Sequence, residues 1–195
     1  MSLGYWETLA SINADGTALT AAARASLLGG AGGKQGLYTL PPNKLRVGDV
    51  LHVRAGGRLS TAVTTPGTSR WDLAIGAAAL GAANFDSLAL AGNTVVQTTI
   101  PWVIDFEGTV RSVGNAGTIF WQGFIHSTAF INTAAIATGP YSGTIALPFN
   151  VAPAVGPATD FTVANIIDFA FTQTTATYNC QLHTYCLSLK TSTGF

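Results

Sequence analysis

The sequence predicts an all-β fold, a single-domain antiparallel β-sandwich of the jelly-roll type. Three observations support this prediction. About eight segments of roughly eight to twelve residues alternate apolar and polar side chains with the period of two of an extended chain. Gly, Pro and Asn clusters separate these segments, and none of the segments is a convincing helix. Finally, the length of 195 residues fits one domain.

The composition predicts a protein that works inside an assembly. Charged residues make up only 9% of the chain, against roughly 25% in typical soluble domains. The surface must therefore be covered by small, weakly polar residues or by other protein. Nine basic and nine acidic residues are spread singly and cancel, so the chain lacks the clustered positive field that nucleic acid or an anionic membrane requires. We expect neither as a partner.

The N-terminal residues MSLGYWETL lack the basic start and apolar core of a signal peptide. No apolar run reaches the roughly eighteen residues of a spanning helix. We therefore expect synthesis in the cytoplasm. Cys180 and Cys186 lie on one predicted strand, where six residues span roughly 20 Å. A disulfide cannot bridge that separation, so we predict free thiols.

The first segment, residues 5–13, carries β-forming aromatic residues and ends at a turn signal. We divide the chain into an N-terminal arm with this first strand (residues 1–16) and a jelly-roll domain (residues 17–195). Residues 19–28 run into a glycine cluster and are predicted to be extended. Residues 36–40 form a short strand that Pro41 ends, because proline cannot donate to a sheet ladder.

The strongest alternation lies in residues 44–75. Two alternating runs flank the turn signal Thr65-Pro66-Gly67-Thr68, and we predict that they form an antiparallel pair. In the first run, the apolar residues alternate with His52, Arg54 and Arg58. The predicted buried residues of the two runs are Leu51, Val53, Ala55, Trp71, Leu73 and Ile75.

The middle of the chain predicts further strands. Residues 76–83 are small, which suits a loop or an interface. Residues 84–90 are predicted to form a short strand, and residues 91–93 a turn. A hairpin then joins residues 102–113 to residues 118–130. Its turn signal is Gly114-Asn115-Ala116-Gly117.

The last third of the chain begins with a long loop. Residues 133–157 are rich in proline and small residues, which predicts a surface loop with one short strand at residues 144–149. Loops of this length are usually functional or wrap a neighbour. Residues 163–173 and 178–190 are predicted to be the closing strands.

The three histidines, His52, His126 and His183, could converge on a metal ion, as happens in some jelly-roll barrels. The chain has no His-x-His run, and two separated cysteines supply too few ligands for zinc. We therefore favour hydrogen-bonded or solvent-facing imidazoles and predict no metal and no cofactor.

Asp105 and Glu107 fall on one face of a predicted strand, about 7 Å apart. This separation is within the range of paired carboxylates in glycosidases. We favour a solvated face, with ion pairs to Arg54, Arg58 or Arg70. The chain has no nucleophile elbow and no phosphate-binding glycine loop, so we predict no enzymatic activity and no catalytic residues.

The four tryptophans have two interpretations. They could form a platform on which sugars stack, but three of them lie in strands with apolar alternation, which favours core packing. Trp6 is the one that we expect to contact a partner.

The central stretch LRVGDVLHVRAGGRLSTAVTTPGTSRWDLAIG, the upstream LYTLPPN and the downstream QLHTYCLSL together resemble a group of tailed-phage virion proteins. The resemblance covers residues 36–76 and 160–189. It implies a jelly-roll structural component of the particle with a head-decoration or tail-associated role, commonly as a trimer. The shared motif carries no catalytic residues.

These observations lead to three functional hypotheses. The first is a trimeric capsid decoration protein of the virion that binds the major capsid protein or tail proteins. The second is a tail- or fibre-associated carbohydrate- or receptor-binding module, and the third is a hydrolase that uses Asp105 and Glu107. Residues 1–11 could add a strand to a neighbouring sheet. The predicted partner-binding residues are Tyr5, Trp6, Leu9 and Tyr141.

Overall fold

The computed structural model describes residues 5–29, 36–61, 67–92, 96–131, 143–176 and 178–191. In these ranges the chain forms β-strands and no α-helix, so the all-β prediction is confirmed. No helix able to cross a membrane occurs in the described part of the chain. The strands are β1 (Tyr5–Ser11), β2 (Arg24–Ser26), β3 (Tyr38–Leu40), β4 (Val50–Thr61), β5 (Thr68–Gly76), β6 (Ala83–Asp86), β7 (Leu90–Gly92), β8 (Gln97–Ser112), β9 (Thr118–His126), β10 (Phe130–Ile131), β11 (Thr144–Leu147), β12 (Asn165–Gln173) and β13 (Asn179–Thr191).

Two antiparallel sheets pack against each other, which confirms the predicted β-sandwich. The six-stranded sheet has the order β1-β13-β4-β8-β9-β11. The seven-stranded sheet has the order β10-β7-β5-β12-β2, with β3 also paired to β12 and β6 to β5. Along the described strands, the chain changes sheet between β1 and β2, β3 and β4, β4 and β5, β7 and β8, β9 and β10, β10 and β11, β11 and β12, and β12 and β13. Strands that follow each other in sequence therefore often face each other across the core.

The predicted pairing of the two central runs is wrong. Strand β4 pairs with β13 and β8, whereas β5 belongs to the other sheet and pairs with β12, β6 and β7. Both strands do bury the predicted apolar residues, including Leu51, Val53 and Trp71. Alternation indicates which face of a strand is buried. It does not indicate whether two such strands are adjacent in one sheet or face each other from opposite sheets.

The predicted hairpin between β8 and β9 is confirmed, with Val110 opposite Ile119. The predicted short strand at residues 144–149 and the two closing strands also correspond to β11, β12 and β13. The predicted turn at residues 91–93 is wrong for its first residues. Ala91 and Gly92 belong to strand β7, where they pair with β10.

The core between the sheets is rich in aromatic residues. Trp71, Trp102 and Trp121 are at most 2% exposed, which confirms their predicted core role. Trp71 of β5 lies 5.5 Å from Trp102 of β8, centroid to centroid, so this contact joins the two sheets. Cys180 is buried and Cys186 half-buried, and both are free thiols, as predicted.

A hydrogen-bonded group that includes two buried carboxylates lies on the outer face of the seven-stranded sheet. We call Arg24, Ser26, Asp72, Leu80 and Asp168 the carboxylate clamp. The Arg24 Nε donates a hydrogen bond to the Asp72 carboxylate at 2.9 Å, and its Nη1 donates to the Leu80 carbonyl at 2.7 Å. Asp168 accepts from the Ser26 hydroxyl at 2.6 Å and from the Leu80 N–H at 3.1 Å. The clamp therefore fixes the loop after β5 onto the sheet.

Candidate functional site

The three histidines do not converge. His52 on β4 bonds to Asp105 at 2.9 Å, and His126 on β9 bonds to Thr144 at 2.8 Å. His183 on β13 contacts Asp15 at 2.5 Å and accepts a hydrogen bond from the Arg58 Nε at 2.9 Å. Within the described ranges, no cluster of three or more His, Cys, Asp or Glu residues has the arrangement of a metal site.

The outward side chains of the six-stranded sheet form rows across β4, β8 and β9. In one row Arg54 is opposite Asp105, and Asp105 is opposite Phe124. In the next row His52 is opposite Glu107, and Glu107 is opposite Gln122. Directly opposed residues have Cβ atoms about 4.5–5.5 Å apart, and rows two residues apart are separated by about 7 Å. Two carboxylates, an amide and a phenyl ring thus form a small rectangle on this face.

These four side chains line an open groove of about 400 Å³. Ala146 of β11 and Pro153 lie at its far side. Phe124 is 44% exposed, which is unusual for a phenylalanine, and its ring faces solvent at the groove. We call Asp105, Glu107, Gln122 and Phe124 the groove residues.

The predicted ion pairs of this face differ from the observed ones. Asp105 is held by His52, while Arg58 bonds to His183 and Arg70 pairs with Asp86. Among the described residues, Glu107 makes neither a salt bridge nor a side-chain hydrogen bond. The groove therefore contains one carboxylate that is fixed in place and one that is free to bind.

A second feature is an apolar end of the sandwich, formed by Tyr5, Trp6, Val47, Val113 and Val163. These side chains are 43–68% exposed. Register places them at one end, since Trp6 is opposite Lys190, which in turn is opposite Val50 at the start of β4. The segments that carry the three valines are joined there by backbone bonds from Gly48 to Val110 and from Phe161 to Gly114.

Strand β1 places two of the predicted partner-binding residues, Tyr5 and Trp6, on the surface. The Trp6 ring lies 5.7 Å from the His52 ring, centroid to centroid, and the Lys190 Nζ lies 5.7 Å from the Trp6 centroid. Leu9 is partly buried against the core. Tyr141, the fourth predicted residue, lies outside the described residues.

Sequence reasoning missed Gln122, Phe124 and the three exposed valines as surface features. A signal for Phe124 is present in the alternation of β9. Ile119, Trp121 and Ile125 point inward, so Phe124 must share the outer face with Gln122. By contrast, Val47, Val113 and Val163 lie in loops, whose arrangement no periodicity predicts.

Comparisons with known proteins find no matching family model, curated protein or solved structure.

Proposed function

We propose that this protein is a non-enzymatic bacteriophage virion structural protein, a capsid decoration protein that assembles as a homotrimer. The observation that carries this proposal is the apolar end. In a chain with only 9% charged residues, this end concentrates three exposed valines beside Tyr5 and Trp6. Exposed apolar side chains gathered at one end of a domain are a candidate interaction surface, and closed symmetry is the usual outcome for self-association.

The strand order supports the jelly-roll form of the sandwich. The strands β1-β13-β4-β8 of one sheet face β2-β12-β5-β7 of the other, and the chain repeatedly changes sheet between them. A double-sheet jelly roll of two Greek keys has eight strands in two such groups. The remaining strands, such as β9 and β11, extend the sheets at their edges.

The proposed trimer buries Val47, Val113 and Val163 around a three-fold axis. Tyr5 and Trp6, at the rim of this end, extend the contact to the major capsid protein or to tail proteins. Strand β1 lies at the edge of the six-stranded sheet, where it pairs with β13. An edge strand can accept a strand from a neighbour, which gives the particle a second means of attachment.

Light scattering coupled to size-exclusion chromatography tests the assembly at micromolar concentration. We expect the wild type to have three times the 20.1 kDa mass of the chain. The variant V113E/V163E should be monomeric with unchanged circular dichroism. The control V96E changes another exposed valine, which precedes β8 at the opposite end, and should remain trimeric. A monomeric wild type would refute the trimer.

A second candidate is a tail- or fibre-associated carbohydrate- or receptor-binding module, and the groove on the six-stranded sheet favours it. A cryo-electron microscopy map of the intact particle separates the two candidates. Copies distributed over the capsid lattice support decoration, whereas copies at the tail or fibre tip support receptor binding. Absence of the protein from purified particles would overturn both.

A further inference from the structure

We propose that the groove of Asp105, Glu107, Gln122 and Phe124 is a binding site for a neutral saccharide in its pyranose form. This inference deepens the second candidate function and does not depend on the trimer. The groove lies on the outer face of the six-stranded sheet, across β8, β9 and the edge strand β11. Its volume of about 400 Å³ is within the range of small-molecule sites.

The polar groove residues match the hydrogen bonds of a sugar. Ionised carboxylates only accept hydrogen bonds, and each can accept from two neighbouring hydroxyls. The Gln122 amide both donates and accepts, so it suits a hydroxyl or a ring oxygen. His52 holds Asp105 at 2.9 Å, which reduces the entropy that this carboxylate would lose on binding.

Phe124 supplies the apolar part of the site. It is directly opposite Asp105, and its ring is 44% exposed at the groove. An aromatic face carries negative charge density, and the C–H groups on one face of a pyranose ring are weakly positive. A sugar stacked on Phe124 would therefore cover the ring while its hydroxyls reach the carboxylates alongside.

The charges of the face favour a neutral ligand. Asp105 and Glu107 line the groove itself, so they repel the carboxylate or phosphate group of a uronic acid, a sialic acid or a phosphate ester that enters it. A cationic ligand gains little, because the Arg54 guanidinium on the neighbouring strand, opposite Asp105, repels it. Polyhydroxylated neutral molecules bind such a site through hydrogen bonds and stacking, without a net charge interaction.

The arrangement favours binding over hydrolysis. In glycosidases the two carboxylates flank the scissile bond, so that one can protonate the leaving group while the other attacks or activates water. Asp105 and Glu107 project from the same face of the same strand. They therefore reach a bound sugar from one side, and neither is placed opposite the other across it.

Two-dimensional amide NMR of the full chain tests the site. The probes are the methyl glycosides of glucose, galactose and mannose, with glucuronic acid and N-acetyl-lysine amide as charged comparisons. We expect at least one neutral glycoside to shift the amides of the groove residues. The variants E107Q and F124A should each weaken its binding roughly tenfold or more, since a charge-assisted hydrogen bond or a stacking contact is lost.

The controls separate this proposal from the proposed assembly. E7Q changes a glutamate that pairs with Lys44, and V96A changes an exposed valine before β8, so both should bind like the wild type. V113E/V163E should also retain binding, and E107Q and F124A should remain trimeric. The inference is overturned if no neutral glycoside binds, if a charged probe binds more tightly, if E107Q or F124A binds like the wild type, or if a glycosidic bond is hydrolysed.

Discussion

Replacing Arg24 by methionine should destabilise the protein more than any single exposed charge change. Asp72 is 1% exposed, and Arg24 supplies the cation that pairs with its carboxylate. The hydrogen bond to Asp72 raises the pKa of Arg24, which keeps the guanidinium charged. In R24M, methionine fills a similar volume, but Asp72 remains buried without this partner.

Removing one partner of a buried ion pair costs about 3–5 kcal/mol of unfolding free energy. The Arg24 side chain is 29% exposed, so we place R24M at the lower end, at about 3 kcal/mol. The variant also loses the bonds from Arg24 to the carbonyls of Leu80 and Gly81. Leu80 has a φ of 56°, a left-handed conformation that surrounding contacts must maintain.

Urea unfolding followed by circular dichroism measures this loss. At an m-value of about 1–3 kcal/mol/M, a loss of 3 kcal/mol lowers the midpoint by about 1–3 M. The melting temperature should fall by about 6–12 °C. R70M is the matched control, because Arg70 and Asp86 form a similar pair whose arginine is 45% exposed. It should cost less than about 1 kcal/mol. If R24M cost no more than R70M, the buried pair would not stabilise this sheet.

Three further predictions follow from particular contacts. In G108A the new Cβ would lie 2.4 Å from the Trp121 ring, so the unfolding free energy measured with urea should fall by about 1–3 kcal/mol. In the control G76A the new Cβ would have no atom within 4 Å, so the unfolding free energy should hardly change. W121F leaves the Asn84 Oδ1 without the indole donor at 2.7 Å, and differential scanning calorimetry should show a loss of about 1–3 kcal/mol. Burial raises the pKa of Asp168, so its protonated form favours the folded state. This contribution to stability is fully present below about pH 4 and is lost as pH rises through the folded pKa. The wild type should lose stability relative to D168N over that interval, and equal pH slopes would contradict this.

The alternation of apolar and polar residues predicted which face of each strand is buried. It did not predict which strands are hydrogen-bonded neighbours. Leu51, Val53, Trp71 and Leu73 are all buried as expected, because period two fixes the direction of a side chain. The prediction that β4 pairs with β5 failed because two arrangements require the same alternation. Strands that face each other from opposite sheets and strands that are adjacent in one sheet both bury every second residue. The backbone pairing distinguishes the two arrangements, since β4 pairs with β13 and β8, whereas β5 pairs with β12.

The candidate site was only partly predictable for a related reason. Asp105 and Glu107 could be placed on one face from β8 alone, but the partners of that face come from strands distant in sequence. His52 reaches Asp105 across 53 positions, and Arg24 reaches Asp72 across 48. Arg58 and Arg70 could not be assigned to their acceptors, His183 and Asp86, because that assignment depends on strand order.

The two proposed functions use different surfaces, and this follows from the register. The apolar end lies where β4 begins and β1 pairs with the end of β13. The groove lies at Asp105 and Glu107, midway along β8 on the outer face of the same sheet. A trimer that closes through Val47, Val113 and Val163 therefore leaves three copies of the groove accessible. In the proposed trimer, three weak saccharide sites would raise avidity without any new contact, so assembly would strengthen binding to a surface that carries many copies of the sugar.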